Sequence, residues 1–333
     1  MRAVVVNQFG PLENAILTET QDPIIKNGEV LVEIYATAIN FVDLLLIGGK
    51  HQSRPDTPYI PGKGPAGLVL AVGPDVKSLS VGDRVLAMCE PGGGFAEKIA
   101  IPAEQCHLLP DSLTFSEAAG MALVFDTAWF SLRERARIQK GETALILGAS
   151  GGVGLAALQL VKAFGGKAIA GISNPKKEKL VIEAGADEIA WLNRDNLQED
   201  LKKQIYSLND QRGADIIIDP LGDKFFSAAL RALGWCGRIV IIGFAAGDIP
   251  LVKTNYLLVK NIEVSGLQIG DYRKRRPDKT KKCFEEIFSL FEKGEIRPLP
   301  TETMPIENFK TALYRLKERE INGRIVLEQN RLD

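Results

Sequence analysis

Apolar residues in the first 120 or so positions come in short runs that alternate with polar ones and stop at glycine or proline. "RAVVV" (2–6), "EVLVEIYA" (29–36), "GLVLAVG" (67–73) and "DRVLAM" (83–88) are β-branched or alternating and bounded by turn residues, which predicts strands. The following stretch, 110–138, carries a helical pattern. Thr114 stands three residues before Glu117, the spacing of a capping box, so a helix is expected to start there.

From Gly141 the pattern changes. "TALILG" (143–148), "KAIAGIS" (167–173), "ADIIIDP" (214–220) and "GRIVIIG" (237–243) are near-continuous apolar runs, and helical segments fall between them. Examples are "GGVGLAALQLVKAFG" (151–165), "PKKEKLVIEAG" (175–185) and "DKFFSAALRAL" (223–233). Strands buried on both faces and alternating with helices predict a parallel, doubly wound α/β sheet. Two more helices (281–294, 306–318) and a last strand (323–329) close the chain. No repeat of fixed period and no low-complexity segment interrupts this order.

Composition narrows the function. A chain of 333 residues is long enough for two domains with full cores. Its 41 basic and 42 acidic residues leave a net charge of −1, so nucleic acid and anionic membrane are not expected partners. The one dense basic run, "RKRR" (273–276), reads as a solvated loop, the alternative being an anion-binding or targeting role. Four scattered cysteines fit a reducing compartment rather than a disulfide framework or zinc ribbon. The opening "MRAVVVNQFGP" has too short an apolar run for a signal peptide, and glycines break the uncharged run 143–161, so a cytoplasmic protein without a membrane span is expected.

The strongest chemical motif is "LILGASGGVGLAALQL" (145–160). Gly148, Gly151 and Gly154 lie where a buried strand turns into a helix. One glycine permits the sharp turn, one lets backbone approach a pyrophosphate, and one lets helix and strand pack closely. The whole turn, with Ser150, Gly152 and Val153, then offers N–H groups and a helix N-terminus to phosphates. NAD binding calls for an acidic residue about 20 residues further on, at the next strand end. This chain has Ser173 and Asn174 there, followed by Pro175, Lys176 and Lys177. Cations in the first turn oppose the helix dipole by roughly a few tenths of a kcal/mol each, and an adenosine 2′-phosphate reverses that penalty. NADPH is therefore the expected cofactor, the alternative being a solvated lysine-rich face.

With these motifs in place the chain resembles the zeta-crystallin-type, zinc-independent quinone oxidoreductases of the medium-chain dehydrogenase/reductase superfamily. The resemblance covers nearly the whole chain. It rests on "INFVDLLL" (39–46), "PYIPGKGPAGLVLAVG" (58–73), "VGDRV" (81–85), "GGGFAEKIAIPA" (92–103), "LTFSEAAG" (113–120), "FDTAWFSL" (125–132), "GASGGVG" (148–154), "GRIVIIGFAAG" (237–247) and "GRIVL" (323–327). It implies a GroES-like, mainly-β substrate-side domain made of residues 1–122 and 268–333, with a Rossmann NADPH-binding domain of residues 123–267 inserted. It also implies an active site in the cleft and a homodimer paired through the edge strand in "NIEVSGLQIG" (261–270).

Zinc-dependent relatives place a Cys where this chain has Asn40 and a His-Glu pair where it has Lys63-Gly64. An amide and an ammonium are not usual zinc ligands, and the chain has only two histidines, so a zinc-free site is expected. The quinone reductases more often keep an acid at the position of Gly64, whose loss leaves Lys63 without that neighbour. Lys63 is the candidate for stabilising an enolate as hydride adds to a conjugated double bond; the alternative is a lysine pointing to solvent. By resemblance Asn40, Thr127, Gly243 and Phe244 contact the cofactor near its nicotinamide end, and Asp43 fixes the local loop. His51 and Tyr59 are candidate proton donors, against a loop histidine and a packed tyrosine. The implied reaction is NADPH-dependent reduction of a quinone, enal or enone. An enoyl thioester reductase, with "RKRR" meeting CoA phosphates, and a non-catalytic NADPH-binding crystallin-like protein are the alternatives.

Overall fold

The computed structural model describes residues 1–192 and 195–329, so the last four residues of the expected substrate-side domain lie outside the described part. The chain divides into two compact units. The first comprises Met1–Leu123, Gly270–Phe288 and the residues from Pro298 on; the second comprises Val124–Ile269 and Ser289–Arg297.

The first unit is built on a seven-stranded sheet. Its spatial order is Thr301–Pro305, Arg324–Glu328, Glu29–Ala38, Ala66–Val72, Arg84–Ala87 and Cys106–Leu108, with Lys98–Pro102 also paired to Glu29–Ala38. Val30, Val32, Ile34 and Ala36 point inward at every second residue and are fully or almost fully buried, as the period of a strand requires. Burial of each such aliphatic chain contributes roughly 1.5–3 kcal/mol. A separate antiparallel pair, Arg2–Val6 with Ala15–Glu19, packs Val4 and Val6 into a second cluster with Ile39, Phe95 and Leu313.

The second unit holds a six-stranded, wholly parallel sheet in the order Glu188–Trp191, Lys167–Ile172, Thr143–Leu147, Ala214–Asp219, Leu233–Ile241, Glu263–Gly266. Numbered along the chain this is 3-2-1-4-5-6, with the direction of winding reversing between Thr143–Leu147 and Ala214–Asp219. Ligands of such sheets bind outside the strand C-termini at that reversal. All five residues of Thr143–Leu147 are buried, as the apolar run predicts for a covered parallel strand.

One expectation is refined and one is corrected. The helix expected at Thr114 starts there, and the helical stretch that follows is divided into shorter pieces. Thr114 caps Phe115–Met121, its Oγ1 accepting from Glu117 N–H (3.2 Å) while Glu117 Oε2 accepts from Thr114 N–H (3.0 Å). The chain then turns at Leu123 (φ +67°), because a leucine held in the left-handed region cannot continue a right-handed helix, and resumes as Val124–Trp129 and a π-helical Phe130–Arg135. The "RKRR" run is not a solvated loop. Arg273 to Arg275 finish the helix Ile269–Arg275, and Arg273 is buried because a carboxylate, described below, receives its charge. Among the described residues no helix is long and apolar enough to cross a membrane.

Candidate active site

The turn "PGKGPAG" owes its shape to its glycines. Gly62 (φ +88°) and Gly64 (φ +69°) are both left-handed, and neither has room for a side chain. A Cβ on Gly62 would lie 2.4 Å from the Phe95 ring and 2.6 Å from Phe95 N; one on Gly64 would lie 2.4 Å from Ala122 Cβ. Asp43 fastens this turn to the helix Phe41–Ile47. Its Oδ2 accepts from Asn40 N–H at the helix start (2.8 Å) and its Oδ1 from Gly62 N–H (3.2 Å). Asp43 is fully buried, and burial pushes its carboxyl up to about 6 against the opposing pull of those N–H groups, Lys63 and Arg324.

Asn40 is fixed from both ends. Its Nδ2 donates to the Ala38 carbonyl (3.0 Å), and its Oδ1 accepts from Arg324 Nη2 (2.7 Å). Arg324 also donates from Nε to the Gly120 carbonyl (3.1 Å), and burial brings its guanidinium down to about 10 although Asp43 works the other way.

Lys63 does not point to solvent: it is 6% exposed. Nor is it without an acid. Glu90, 27 residues on, puts Oε2 at 2.5 Å from Lys63 Nζ, and its other oxygen, Oε1, lies 2.6 Å from Arg273 Nη1. The three side chains are 7%, 7% and 2% exposed. Burial alone would raise the Glu90 carboxyl, but Arg273 and Lys63 outweigh it and hold the group below the usual carboxylate range. Glu90 and Arg273 were not visible from sequence, since no local spacing links residues 63, 90 and 273.

Tyr59 packs on Phe9 (ring centroids 5.9 Å), and its buried hydroxyl has no hydrogen-bond partner among the described residues. Burial, then the nearby Asp43, raise its pKa above the usual tyrosine range, which suits a packed tyrosine better than a proton donor. His51 is half-buried in its loop, its Nδ1 3.0 Å from the Ser53 carbonyl and 3.1 Å from Ser53 N. His107 is buried against Phe284 (centroids 4.3 Å), and burial drives it down to about 3.

In the second unit the glycine turn divides its labour by space. Gly148 (φ +59°) makes the bend. A Cβ on Gly154 would lie 2.6–2.7 Å from the Ala149 backbone, so this glycine permits close packing. Around Gly151 a Cβ would meet only the Gly148 carbonyl at 3.4 Å, leaving an open cradle. Gly151 caps the helix Gly152–Ala163 with no side-chain hydrogen bond, and first-turn N–H groups, here those of Gly152, Val153 and Gly154, have no intrahelical partner. Ser150 is half-buried beside them. This arrangement fits a pyrophosphate.

Ser173 and Asn174 are exposed at the end of Lys167–Ile172, and Asn174 Oδ1 accepts from Lys176 N–H (3.0 Å) to start a short 3₁₀ turn. Lys177 is half-buried, which lowers its pKa by desolvation. Thr127 is buried within Val124–Trp129, its carbonyl accepting from Ser131 Oγ (2.7 Å). Gly243 and Phe244 follow the strand Leu233–Ile241. A residue that sequence reading missed places them: Asp219 Oδ1 accepts from Leu221 N–H (2.8 Å) and Gly222 N–H (2.9 Å). The Pro220 and Leu221 carbonyls so oriented then accept from Ala245 and Ala246. Its signal was available, as a carboxylate at a strand C-terminus in "IIIDPLG".

Among the described residues no group of three or more His, Cys, Asp or Glu side chains could hold a metal. Comparison with known proteins places the chain. Residues 26–111 match the model of the alcohol dehydrogenase GroES-like domain, and residues 152–289 that of the zinc-binding dehydrogenases. A quinone oxidoreductase-like protein 2 homolog of Nematostella vectensis is 35% identical, over 98% of this chain and 88% of its own. A quinone oxidoreductase of Pseudomonas syringae pv. Tomato superposes with TM-score 0.90 at 26% identity, over 98% of this chain and 99% of that one. A mycobacterial protein solved in complex with NADPH superposes equally well, with TM-score 0.90 at 26% identity over 98% and 100%. The GroES-like sheet of the first unit, the 3-2-1-4-5-6 parallel sheet of the second and these relatives agree: the chain belongs to the quinone oxidoreductase-like branch of the medium-chain dehydrogenase/reductase superfamily and is an oxidoreductase.

Proposed function

We propose that the protein is an NADPH-dependent, zinc-independent reductase of quinones or of the C=C bond of enals and enones. The observation that carries this reading is Lys63, a nearly buried ammonium at the position where zinc-dependent relatives carry a metal ligand. Glu90 Oε2 is the one acceptor that the described residues give its three N–H donors. The remaining donors suit a carbonyl or quinone oxygen on which negative charge collects as the double bond is reduced. The cofactor, when bound, supplies the hydride. The open cradle at Gly151 supports pyrophosphate binding, and Lys176 and Lys177 in place of an acid support a 2′-phosphate. Asn40, held by Arg324 and Ala38, presents a fixed amide. Between the two candidate donors, His51 keeps a half-exposed ring while the Tyr59 hydroxyl is shut in, so His51 or water delivers the proton.

A second copy of the chain is the expected partner. The strand Glu263–Gly266 is a sheet edge, and Leu258 and Val259 on the helix before it are 80% and 75% exposed.

The direct test is NADPH and NADH oxidation with 1,4-benzoquinone and with an α,β-unsaturated ketone. Turnover favouring NADPH on either acceptor is expected. Tight NADPH binding without turnover on any electrophile would instead make the chain a binding protein.

A further inference from the structure

We infer that the segment Cys89–Glu90 is a positioning clamp for Lys63, in which Cys89 holds the backbone around the lysine and Glu90 holds its ammonium. This deepens the reductase reading and rests on it. The clamp follows from strand register. Ala66–Val72 and Arg84–Ala87 are antiparallel, with Ala66 opposite Leu86, Gly67 opposite Val85 and Leu68 opposite Arg84. Ala87 N–H carries the pairing one step on, to the Pro65 carbonyl (2.8 Å). The same register continued sets residues 88–90 against 62–64, so the chain leaving one strand runs beside the turn that enters the other.

The contacts match. Cys89 Sγ donates to the Gly62 carbonyl (3.5 Å), and the Gly64 N–H donates to the same sulfur. One side chain thus takes up a backbone group on each side of Lys63. Gly94 N–H shares the Gly62 carbonyl (3.0 Å), and Asp43 Oδ1 holds the Gly62 N–H (3.2 Å). The next residue, Glu90, reaches the far end of the lysine, Oε2 to Nζ at 2.5 Å. A lysine carries its charge on a long, flexible stem, so its position is defined only when both ends are held.

A thiol suits the backbone end of this clamp. Cys89 is buried, and burial pushes its thiol up to about 12 against the pull of the Gly64 N–H and Lys63. It therefore keeps the proton that donation to the Gly62 carbonyl requires, and it stays a poor nucleophile. A thiolate there would add to the quinones and enones of the proposed reaction; a buried thiol survives them.

The test compares Cys89→Ala, Cys89→Ser, Glu90→Gln, Lys63→Met and the double variant Cys89→Ala with Lys63→Met, in the full-length protein. Steady-state kcat and KM are measured with NADPH and 1,4-benzoquinone or an enone, and NADPH affinity and melting temperature serve as controls. Cys89→Ala is expected to lose about fivefold in kcat with NADPH affinity intact. Cys89→Ser recovers most of it, because a hydroxyl also donates and accepts. The loss disappears in the Lys63→Met background, as it must for a residue that acts only through Lys63. A second readout needs no turnover: proton exchange of the Lys63 ammonium, followed by NMR of isotope-labelled lysine with Lys63→Met assigning the signal. Exchange is expected to be at least about threefold faster in Cys89→Ala, and faster still in Glu90→Gln.

Unchanged ammonium exchange in Cys89→Ala, whatever its melting temperature, would make Cys89 a packing residue and overturn the inference. So would an unchanged kcat in a protein that turns over, or a loss equally large in the Lys63→Met background. If wild type turns over no electrophile, the reductase reading fails by itself, and the exchange rates still decide for or against the clamp.

Discussion

Arg324 and Asn40 stand 284 residues apart in the chain and share a 2.7 Å hydrogen bond from guanidinium to amide oxygen, both side chains buried. This bond fixes which way the amide faces, for Asn40 Nδ2 is already committed to Ala38. The strand Arg324–Glu328 thus aims the side chain that stands just before the helix Phe41–Ile47.

Arg324→Met should therefore act on both stability and chemistry. It strands the Asn40 oxygen and the Gly120 carbonyl and takes a cation from buried Asp43, a loss of about 3 kcal/mol. Chemical denaturation measures the loss, and Arg324→Lys should recover only part of it, because one ammonium cannot span both acceptors in the guanidinium's fork.

Asp43 makes stability depend on pH with a definite sign. Burial raises its carboxyl from 3.8 to about 6, so between those values the folded chain holds a proton that the unfolded chain has released. Its contribution is complete below pH 3.8 and is lost as the pH rises through about 6. The unfolding free energy of wild type minus that of Asp43→Asn, measured from pH 4 to 8, should fall across that window and then level off. A difference that rises with pH would show that the N–H groups and cations outweigh burial.

Gly151 and Gly154 should separate binding from folding. Alanine at Gly151 finds open space and ordinary backbone angles (φ −82°, ψ 167°), so its melting temperature should stay close to wild type. Its methyl group lies in the cradle, and NADPH affinity, read by nucleotide fluorescence, should drop at least about tenfold. Alanine at Gly154 meets the Ala149 backbone at 2.6 Å, and overpacking of that kind costs about 1–3 kcal/mol.

Lys177→Ala should reduce the preference for NADPH over NADH by about tenfold while leaving NADH affinity unchanged. An equal loss for both nucleotides would assign Lys177 to the helix rather than to the 2′-phosphate.

Leu258→Asp with Val259→Asp, both on exposed positions of the helix Thr254–Lys260, should convert a dimer to monomer in light scattering while the circular dichroism is unchanged. A monomeric wild type would remove the edge strand as an assembly surface.

What could be read from sequence follows the range of the interactions. Gly148, Gly151 and Gly154 declare themselves because strand, turn and helix are consecutive, and Thr114 with Glu117 because a cap spans three residues. Asp43 was legible as a loop-fixing residue for the same reason. Glu90 was not, because its partners are 27 and 183 residues away and an acid before a proline carries no local signal. Arg273 was read as surface because three of its neighbours in "RKRR" are; only the fold shows which member of a charge run is turned inward. The missed helix break at Leu123 has a similar origin. A left-handed leucine is imposed by tertiary packing, and no preference of leucine announces it.

The contact between Gly64 and Ala122 sets the order in which this turn can be redesigned. The space for a first side-chain carbon at 64 is already filled by Ala122 Cβ, 2.4 Å away, and the left-handed backbone there (φ +69°) strains any side chain. A carboxylate introduced at 64 alone arrives into a clash. Anyone grafting an acid into this turn should alter residue 122 first and residue 64 second.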